Sequence, residues 1–184
     1  MNRLTKIAMR AVATFLLAGC GGATAFAQFN STGSLTVSVT IGAEAAISIT
    51  NANTALSSAG TLFANYAGTT NFSYQIRSTK TTGSGNVVLQ ITTDFNGTGG
   101  PKVAVPPAAG DALMYTCTVS SPATQCTGSQ TASTTANSPV ATFGADAHSA
   151  PTGNTGSVAW TLTNDPTYKT GSYSATATFT ITAL

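Results

Sequence analysis

Residues 173–183 read YSATATFTITA, and this stretch decides the fold class. Every even position carries a Ser or Thr hydroxyl. The odd positions are Tyr173, Ala175, Ala177, Phe179, Ile181 and Ala183. Successive side chains of a β-strand project to opposite faces, so this period of two predicts a strand with one apolar face turned toward a core.

The same alternation recurs along the chain, bounded by Gly, Pro and Asn. The segments that carry it lie at 35–41, 45–50, 72–76, 87–91, 113–119, 139–143 and 158–162. No segment sustains the 3.6-residue period of a helix. We therefore predict an all-β fold, a two-layer antiparallel immunoglobulin-like sandwich of about eight or nine strands. An up-and-down barrel is the alternative, and loops of unequal length favour the sandwich.

Two regions between these segments carry more specific expectations. Residues 71–93 are predicted to form a hairpin, because a turn at 83–86 (GSGN) separates two segments of alternating apolar and polar residues. Residues 94–111 are rich in Gly and Pro, which predicts a long loop with at most a short edge strand at 102–105.

The first residues read as an export signal. Arg3, Lys6 and Arg10 precede a short apolar run at 11–18, and the small-residue motif at 25–27 (AFA) suits a signal peptidase. The run is too short to span a bilayer stably. We favour a signal peptide at 1–27 followed by a single β-sandwich domain at 28–184. The alternative is a lipoprotein signal at 1–19, with Cys20 as the lipidated first residue.

Charge argues against nucleic acid as a partner. Beyond residue 27 the chain has four basic and five acidic residues, a net charge of about −1 (4 − 5). Nucleic-acid binding needs clustered Lys and Arg, which this chain lacks. We expect a secreted, periplasmic or cell-surface protein that meets a membrane only if Cys20 is lipidated.

Cys117 and Cys126 are the two cysteines beyond the leader. An even pair in an oxidising compartment predicts a disulfide. A loop of about ten residues gives roughly 2.5–3 kcal/mol of stabilisation in the chain-entropy account. The spacing does not suit a zinc site, for which His148 is the one imidazole in the sequence.

Groups suited to catalysis are few. Asp146, His148 and Ser149 combine an acid, an imidazole and a hydroxyl, but near-neighbours in one loop do not easily form a triad. Asp94, Asn96 and Asp111 offer oxygen ligands for calcium without the repeat that such a loop needs. We therefore predict no catalytic, cofactor-binding or metal site, and no enzyme. Trp160, in phase with Val158 and Leu162, is expected to anchor the core rather than to stack on a ligand.

Two stretches resemble a known type of protein. The end of the chain, from Gly156-Ser157-Val158 through Gly171-Ser172-Tyr173 to the final Thr-alternating strand, resembles exported bacterial sandwiches of the spore-coat-U-like and fimbrial type. The segment at 35–40 (LTVSVT) resembles their first strand, although the Cys that usually follows it is absent from 42–50. The resemblance implies a secreted structural subunit, often assembled when one subunit lends a strand to the next.

Two functions follow as hypotheses. The first is a non-catalytic structural or adhesive protein of the cell surface or of a fimbria-like assembly, which pairs strands with itself or with other surface proteins. It predicts an apolar-faced strand at one terminus that is exposed or exchanged. The alternative is a secreted carbohydrate- or cell-wall-binding module. It predicts a concave surface on which Tyr66, Tyr115 or Tyr168 are exposed together.

Overall fold

The computed structural model describes residues 33–103 and 113–184. The signal peptide at 1–27, the alternative cleavage before Cys20 and the candidate calcium ligand Asp111 lie outside the described residues. Thr40–Leu184 forms one compact unit. The stretch at 33–39 that precedes it is described by itself.

The described residues contain strands and no helix, as the alternation predicts. In that part of the chain no helical segment could cross a membrane. Three of the strands are only two residues long. The strands are β1 (Glu44–Ile49), β2 (Ser57–Ser58), β3 (Tyr66–Arg77), β4 (Gly85–Thr93), β5 (Leu113–Val119), β6 (Thr124–Gln125), β7 (Gln130–Thr131), β8 (Ser138–Phe143), β9 (Asn154–Leu162) and β10 (Thr176–Ala183).

The strands form two antiparallel sheets, which confirms the predicted two-layer sandwich. The first sheet has the order β1-β3-β9-β5-β7, with β2 paired to the far end of β3. The second has the order β10-β4-β8-β6. The edge strands β1 and β10 contact each other, and the short strands β6 and β7 lie toward the opposite flank. We call the β1/β10 side the open flank.

The predicted hairpin at 71–93 is wrong. Both arms are strands, but β3 pairs with β1 and β9, whereas β4 pairs with β10 and β8 in the other sheet. Alternation fixes which face of a strand is apolar and says nothing about its hydrogen-bonding partner. The chain therefore crosses between the two layers at 78–84.

Residues 33–43 also differ from the prediction, because none of them belongs to a strand. The alternating side chains are present, but no strand within 33–103 or 113–184 pairs with this segment. The apolar side chains of this row are exposed. The edge strand expected at 102–105 is absent from Lys102 and Val103, and its remaining positions lie outside the described residues.

The core lies between the two sheets and is rich in aromatic rings. Phe72 of β3 faces Phe179 of β10 with ring centroids 5.8 Å apart, and Tyr74 faces Phe143 of β8 at 5.4 Å. Tyr115 and Trp160 pack at 5.5 Å on neighbouring strands of the first sheet. Every buried side-chain nitrogen or oxygen among the described residues has a hydrogen-bond partner.

The flank opposite the open flank is closed by a disulfide. Cys117 of β5 is bonded to Cys126, which directly follows β6, with a Cα–Cα distance of 5.7 Å. Because β5 and β6 belong to different sheets, the bond ties the two layers together. The predicted disulfide is therefore present, and bonds of this kind are typical of proteins outside the cytoplasm.

Candidate functional site

Four exposed apolar side chains form a row at residues 35–41, which we call the apolar segment. Leu35 is 89% exposed, Val37 87%, Val39 81% and Ile41 64%. Thr36, Ser38 and Thr40 alternate with them. A contiguous exposed apolar row of this kind marks an interaction surface more often than a single exposed residue does.

The segment joins β1 at a polar anchor. The Arg77 guanidinium donates from Nε to the Gly42 carbonyl at 2.8 Å and from Nη2 to the Glu44 carboxylate at 2.9 Å. Both side chains of this ion pair are substantially exposed, so its contribution to stability is small. Its geometric effect is to fix the chain where β1 begins.

The open flank presents two strand edges that have no partner within 33–103 or 113–184. On β10 the inward row is only half-buried, and it consists of Ala177, Phe179, Ile181 and Ala183. The strand has no charged residue and no proline. Natural proteins commonly protect an edge with charges, prolines or very short strands. The opposite flank has such protection, because β6 and β7 are two residues long each.

A cleft of about 770 Å³ lies at the end of the open flank, where the edges of β1 and β10 separate beyond Ile49 and Ala177. One wall is the segment at 51–56. This segment lies against β3 at Gly68, where an added Cβ would be 2.6 Å from the Ala55 carbonyl oxygen. The opposite wall includes Tyr173, whose ring covers Gly100 and whose hydroxyl donates to the Lys169 carbonyl at 2.8 Å. The floor includes Trp160, Leu162 and Ile91 from the core.

The three tyrosines proposed for a sugar-binding surface separate in the structure. Tyr66 and Tyr168 are half-buried and line the cleft. Tyr115 is only 1% exposed, and its hydroxyl donates to the Pro139 carbonyl at 2.8 Å. Burial raises the pKa of Tyr115 to about 12. Tyr115 is therefore a core residue, because its position in β5 points inward with Leu113 and Cys117.

Trp160 lies in the core, with 6% of its surface exposed, and also forms part of the cleft floor. Its indole Nε1 donates to the Thr70 hydroxyl at 2.8 Å. That hydroxyl lies 2.6 Å from the hydroxyl of Thr54, which is on the cleft wall. A chain of hydrogen bonds thus links the indole to the cleft surface.

The exposed aromatic residue of the cleft, Phe63, could not be found from alternation. It lies at the rim with 60% of its surface exposed and a φ of 54°. A bulky residue with a left-handed backbone is unusual. The sequence around it, Leu62-Phe63, reads simply as two apolar residues between β2 and β3.

The acid, imidazole and hydroxyl at 146–149 do not converge. The His148 Nδ1 lies 2.7 Å from the backbone carbonyl of Asp146. The Ser149 hydroxyl accepts the Ile76 backbone N–H at 3.0 Å. The loop is held to the end of β3 by a bridge between Arg77 and His148, so these side chains serve loop structure.

The side-chain oxygens of Asp94 and Asn96, which were considered as calcium ligands, already accept hydrogen bonds from backbone N–H groups. Asp94 Oδ1 accepts the N–H groups of Phe95 and Val103 at 2.7 and 2.8 Å. Asn96 Oδ1 accepts the Ser174 N–H at 2.8 Å. No group of three or more potential metal ligands occurs within the described ranges.

Comparison with known proteins finds no matching family, no similar curated protein and no similar solved structure.

Proposed function

We propose that this chain is a non-catalytic, exported structural subunit that assembles with copies of itself at the cell surface. The observation that carries the proposal is the exposure of the apolar segment, whose four apolar side chains are each at least 64% exposed. Such a row exposed to water favours association, and its period of two suits a strand.

The acceptor is the open flank of a second copy. An extended segment can add to a sheet edge, where main-chain hydrogen bonds supply affinity and alternate side chains enter the groove. The β10 edge suits this role because it is eight residues long, uncharged and half-buried along its inner face. Leu35, Val37, Val39 and Ile41 then cover the inner face that β1 and β10 leave partly exposed.

The energy available is sufficient for a stable contact. Burying one Val, Leu or Ile side chain contributes about 1.5–3 kcal/mol, so four contribute roughly 6–12 kcal/mol before costs. Ordering the segment and losing translational freedom offset part of this gain. The backbone hydrogen bonds of a new strand pair add to the remainder, so micromolar or tighter association is within reach.

Export fits the same proposal. The leader at 1–27, or the lipoprotein form with Cys20, directs the chain out of the cytoplasm, where the Cys117–Cys126 disulfide persists. The polar surface is made of Thr, Ser, Asn and Gln rather than charges, since only 7% of residues are charged. A fimbria-like or adhesive layer is the assembly that this surface and the resemblance favour.

The test is a pair of variants of the exported protein, studied by sedimentation velocity over a concentration series. Val37→Ser/Val39→Ser removes two apolar side chains and leaves the neighbours Thr36, Ser38 and Thr40 unchanged. The matched control, Thr36→Ser/Thr40→Ser, changes the hydroxyl-bearing side of the same segment. We expect concentration-dependent oligomers for the wild type and the control.

The Val37→Ser/Val39→Ser variant is expected to remain monomeric at ten times the concentration at which the wild type assembles. Its urea midpoint should equal that of the dilute, monomeric wild type, because the two substituted side chains are exposed. Negative-stain electron microscopy of the same samples shows whether the oligomers are filaments. A wild type that stays monomeric, or a Val variant that assembles like the control, rules the proposal out.

A further inference from the structure

The cleft has the size and rigid walls of a ligand site. Its volume of about 770 Å³ is within the range of small-molecule and oligosaccharide pockets. The walls are held by close packing on two glycines. The backbone at Ala55 packs on Gly68 on one side, and the Tyr173 ring packs on Gly100 on the other. It therefore offers a shape formed before any ligand arrives.

Phe63 is an aromatic ring held at the rim of this cleft at an energetic cost. Its φ of 54° is in the left-handed region, where the Cβ of a non-glycine residue lies too close to the following carbonyl oxygen. The turn is fixed by the Ala64 N–H donating to the Thr61 carbonyl at 3.1 Å and by the Ser58 hydroxyl donating to the Ala64 carbonyl at 2.7 Å. Backbone strain of this kind, at an exposed aromatic residue beside a cleft, points to a functional role.

The lining chemistry suits a neutral sugar. Rings from Phe63, Tyr66 and Tyr173 offer flat apolar faces, and Asn51, Asn53 and Thr54 offer amides and a hydroxyl. Sugar rings have the matching combination of an apolar face and a rim of hydroxyls. A purely apolar ligand would take the exposed Asn51 and Asn53 amides out of water without giving them partners.

The charged groups of the cleft do not favour an anion or a cation. Among the described residues, the lining contains one acid, Asp165, and one base, Lys169. Asp165 Oδ1 already accepts the backbone N–H and the hydroxyl of Thr167 at 2.8 and 2.7 Å, and these bonds lower its pKa. These two opposite charges cancel, so the described part of the lining has no net charge to select a charged ligand.

We infer that the cleft beside Phe63 binds a neutral oligosaccharide, with the Phe63 ring stacking on a sugar face. This inference stands apart from the self-assembly proposed above, because it depends on the cleft rather than on the apolar segment. It gives the surface protein a site for glycan on cells or in a matrix.

The chain contains a built-in reporter for the test. Trp160 is the single tryptophan of the sequence, lies in the cleft floor and is linked to Thr54 through Thr70. Its fluorescence is titrated with neutral tetrasaccharides of glucose, N-acetylglucosamine, mannose and galactose, and with tetragalacturonate as the anionic comparison. We expect a saturable change with at least one neutral sugar at or below millimolar concentration, and a weaker one with the anion.

Phe63→Asn is the decisive variant, since Asn tolerates the left-handed backbone and removes only the ring. Binding is expected to weaken about tenfold, as loss of an aromatic stacking contact implies. Leu62→Asn is the matched control, because Leu62 is 94% exposed and does not line the cleft. The control should bind like the wild type.

The titrations are repeated on the Val37→Ser/Val39→Ser variant, so that assembly and sugar binding are judged separately. Equal binding in this variant supports an independent site. The inference is overturned if no neutral sugar gives a saturable change in either background, or if Phe63→Asn binds as tightly as Leu62→Asn. Neither result bears on whether the apolar segment drives assembly.

Discussion

At the scale of single residues, close packing around the aromatic rings of the core leaves no room for additional side-chain atoms. Gly156 of β9 pairs with Phe72 of β3, and an added Cβ would be 2.3 Å from a ring carbon of Phe72. Phe72 is 1% exposed and also contacts Phe179 of the other sheet. The ring therefore has little room to move, and the absence of a side chain at Gly156 is required.

Gly156→Ala is accordingly expected to lower the free energy of unfolding by about 1–3 kcal/mol, the usual cost of overpacking a core. Urea unfolding followed by circular dichroism measures the change. Gly144→Ala is the control, because a Cβ there meets no atom within 4 Å and the backbone is not left-handed. Equal midpoints for the two variants would contradict the packing argument.

Tyr115 gives a prediction about alkaline pH. Its pKa in the folded protein is about 12 because of burial, whereas an exposed tyrosine titrates near 10. Below pH 10 both states keep the proton, so stability does not depend on this group. Between pH 10 and 12 the unfolded state loses the proton first, and stability falls as pH rises.

The measurement is the urea midpoint of the wild type and of Tyr115→Phe from pH 8 to pH 12. Tyr115→Phe lacks the titrating hydroxyl, so its midpoint should fall less steeply above pH 10. It should be less stable at pH 8, since the Pro139 carbonyl loses its donor. Identical slopes above pH 10 would exclude Tyr115 as a source of the pH dependence. Burial also raises the pKa of Tyr74, so some slope is expected to remain.

At the scale of the strand, the two flanks of the sandwich are held differently. One flank has the Cys117–Cys126 disulfide between the layers, together with very short outer strands. The open flank has two longer unpaired edges, at β1 and β10, and a cleft between the layers. In the proposed assembly, a subunit accepts a strand at the unpaired edges of the open flank, while the disulfide holds the two layers together at the other flank.

The disulfide is expected to contribute about 2.5–3 kcal/mol by restricting the unfolded chain. Cys117→Ala/Cys126→Ala should lower the urea midpoint correspondingly while leaving the β-rich circular dichroism spectrum unchanged. Adding a reductant should shift the wild type toward the variant and leave the variant unaffected. A variant as stable as the oxidised wild type would show that the bond does not carry this stabilisation.

Alternation predicted which residues form most strands and which face turns inward. Leu113, Tyr115 and Cys117, for example, are all buried on one side of β5. It could not predict that β3 and β4 pair in different sheets, because a turn at 83–86 is compatible with a hairpin and with a crossing between layers. It also placed 35–41 in the core, since a side-chain pattern does not show whether a partner edge exists within the same chain.

The cleft could not be predicted from the sequence, for a related reason. Its lining comes from β1, β3, β4, β5, β9 and β10 and from loops that include 51–56 and 164–175, which no local pattern brings together. Trp160 was expected in the core, where it lies, and alternation gave no indication that it also forms the cleft floor. Phe63 gave no signal, because its left-handed backbone is a property of the turn rather than of a repeating pattern.

At the scale of the whole molecule, the apolar segment and the open flank are complementary features of one chain. The segment offers an alternating apolar row without a partner strand in the described ranges, and β10 offers an uncharged edge without one. In the proposed assembly the segment of one copy adds to β10 of the next, and head-to-tail contacts that do not close into a ring extend into filaments. The proposed sugar site in the cleft lies on the same flank, and the Val37→Ser/Val39→Ser variant separates sugar binding from assembly.

Amide hydrogen exchange at residues 35–41, compared between dilute monomer and concentrated assembly, tests this account most directly. Backbone N–H groups outside any strand exchange rapidly, and those in a strand pair are protected. The account predicts fast exchange of the segment at low concentration, and strong protection of both the segment and β10 in the assembly. Exchange of residues 35–41 that remains fast in the assembled protein would contradict it.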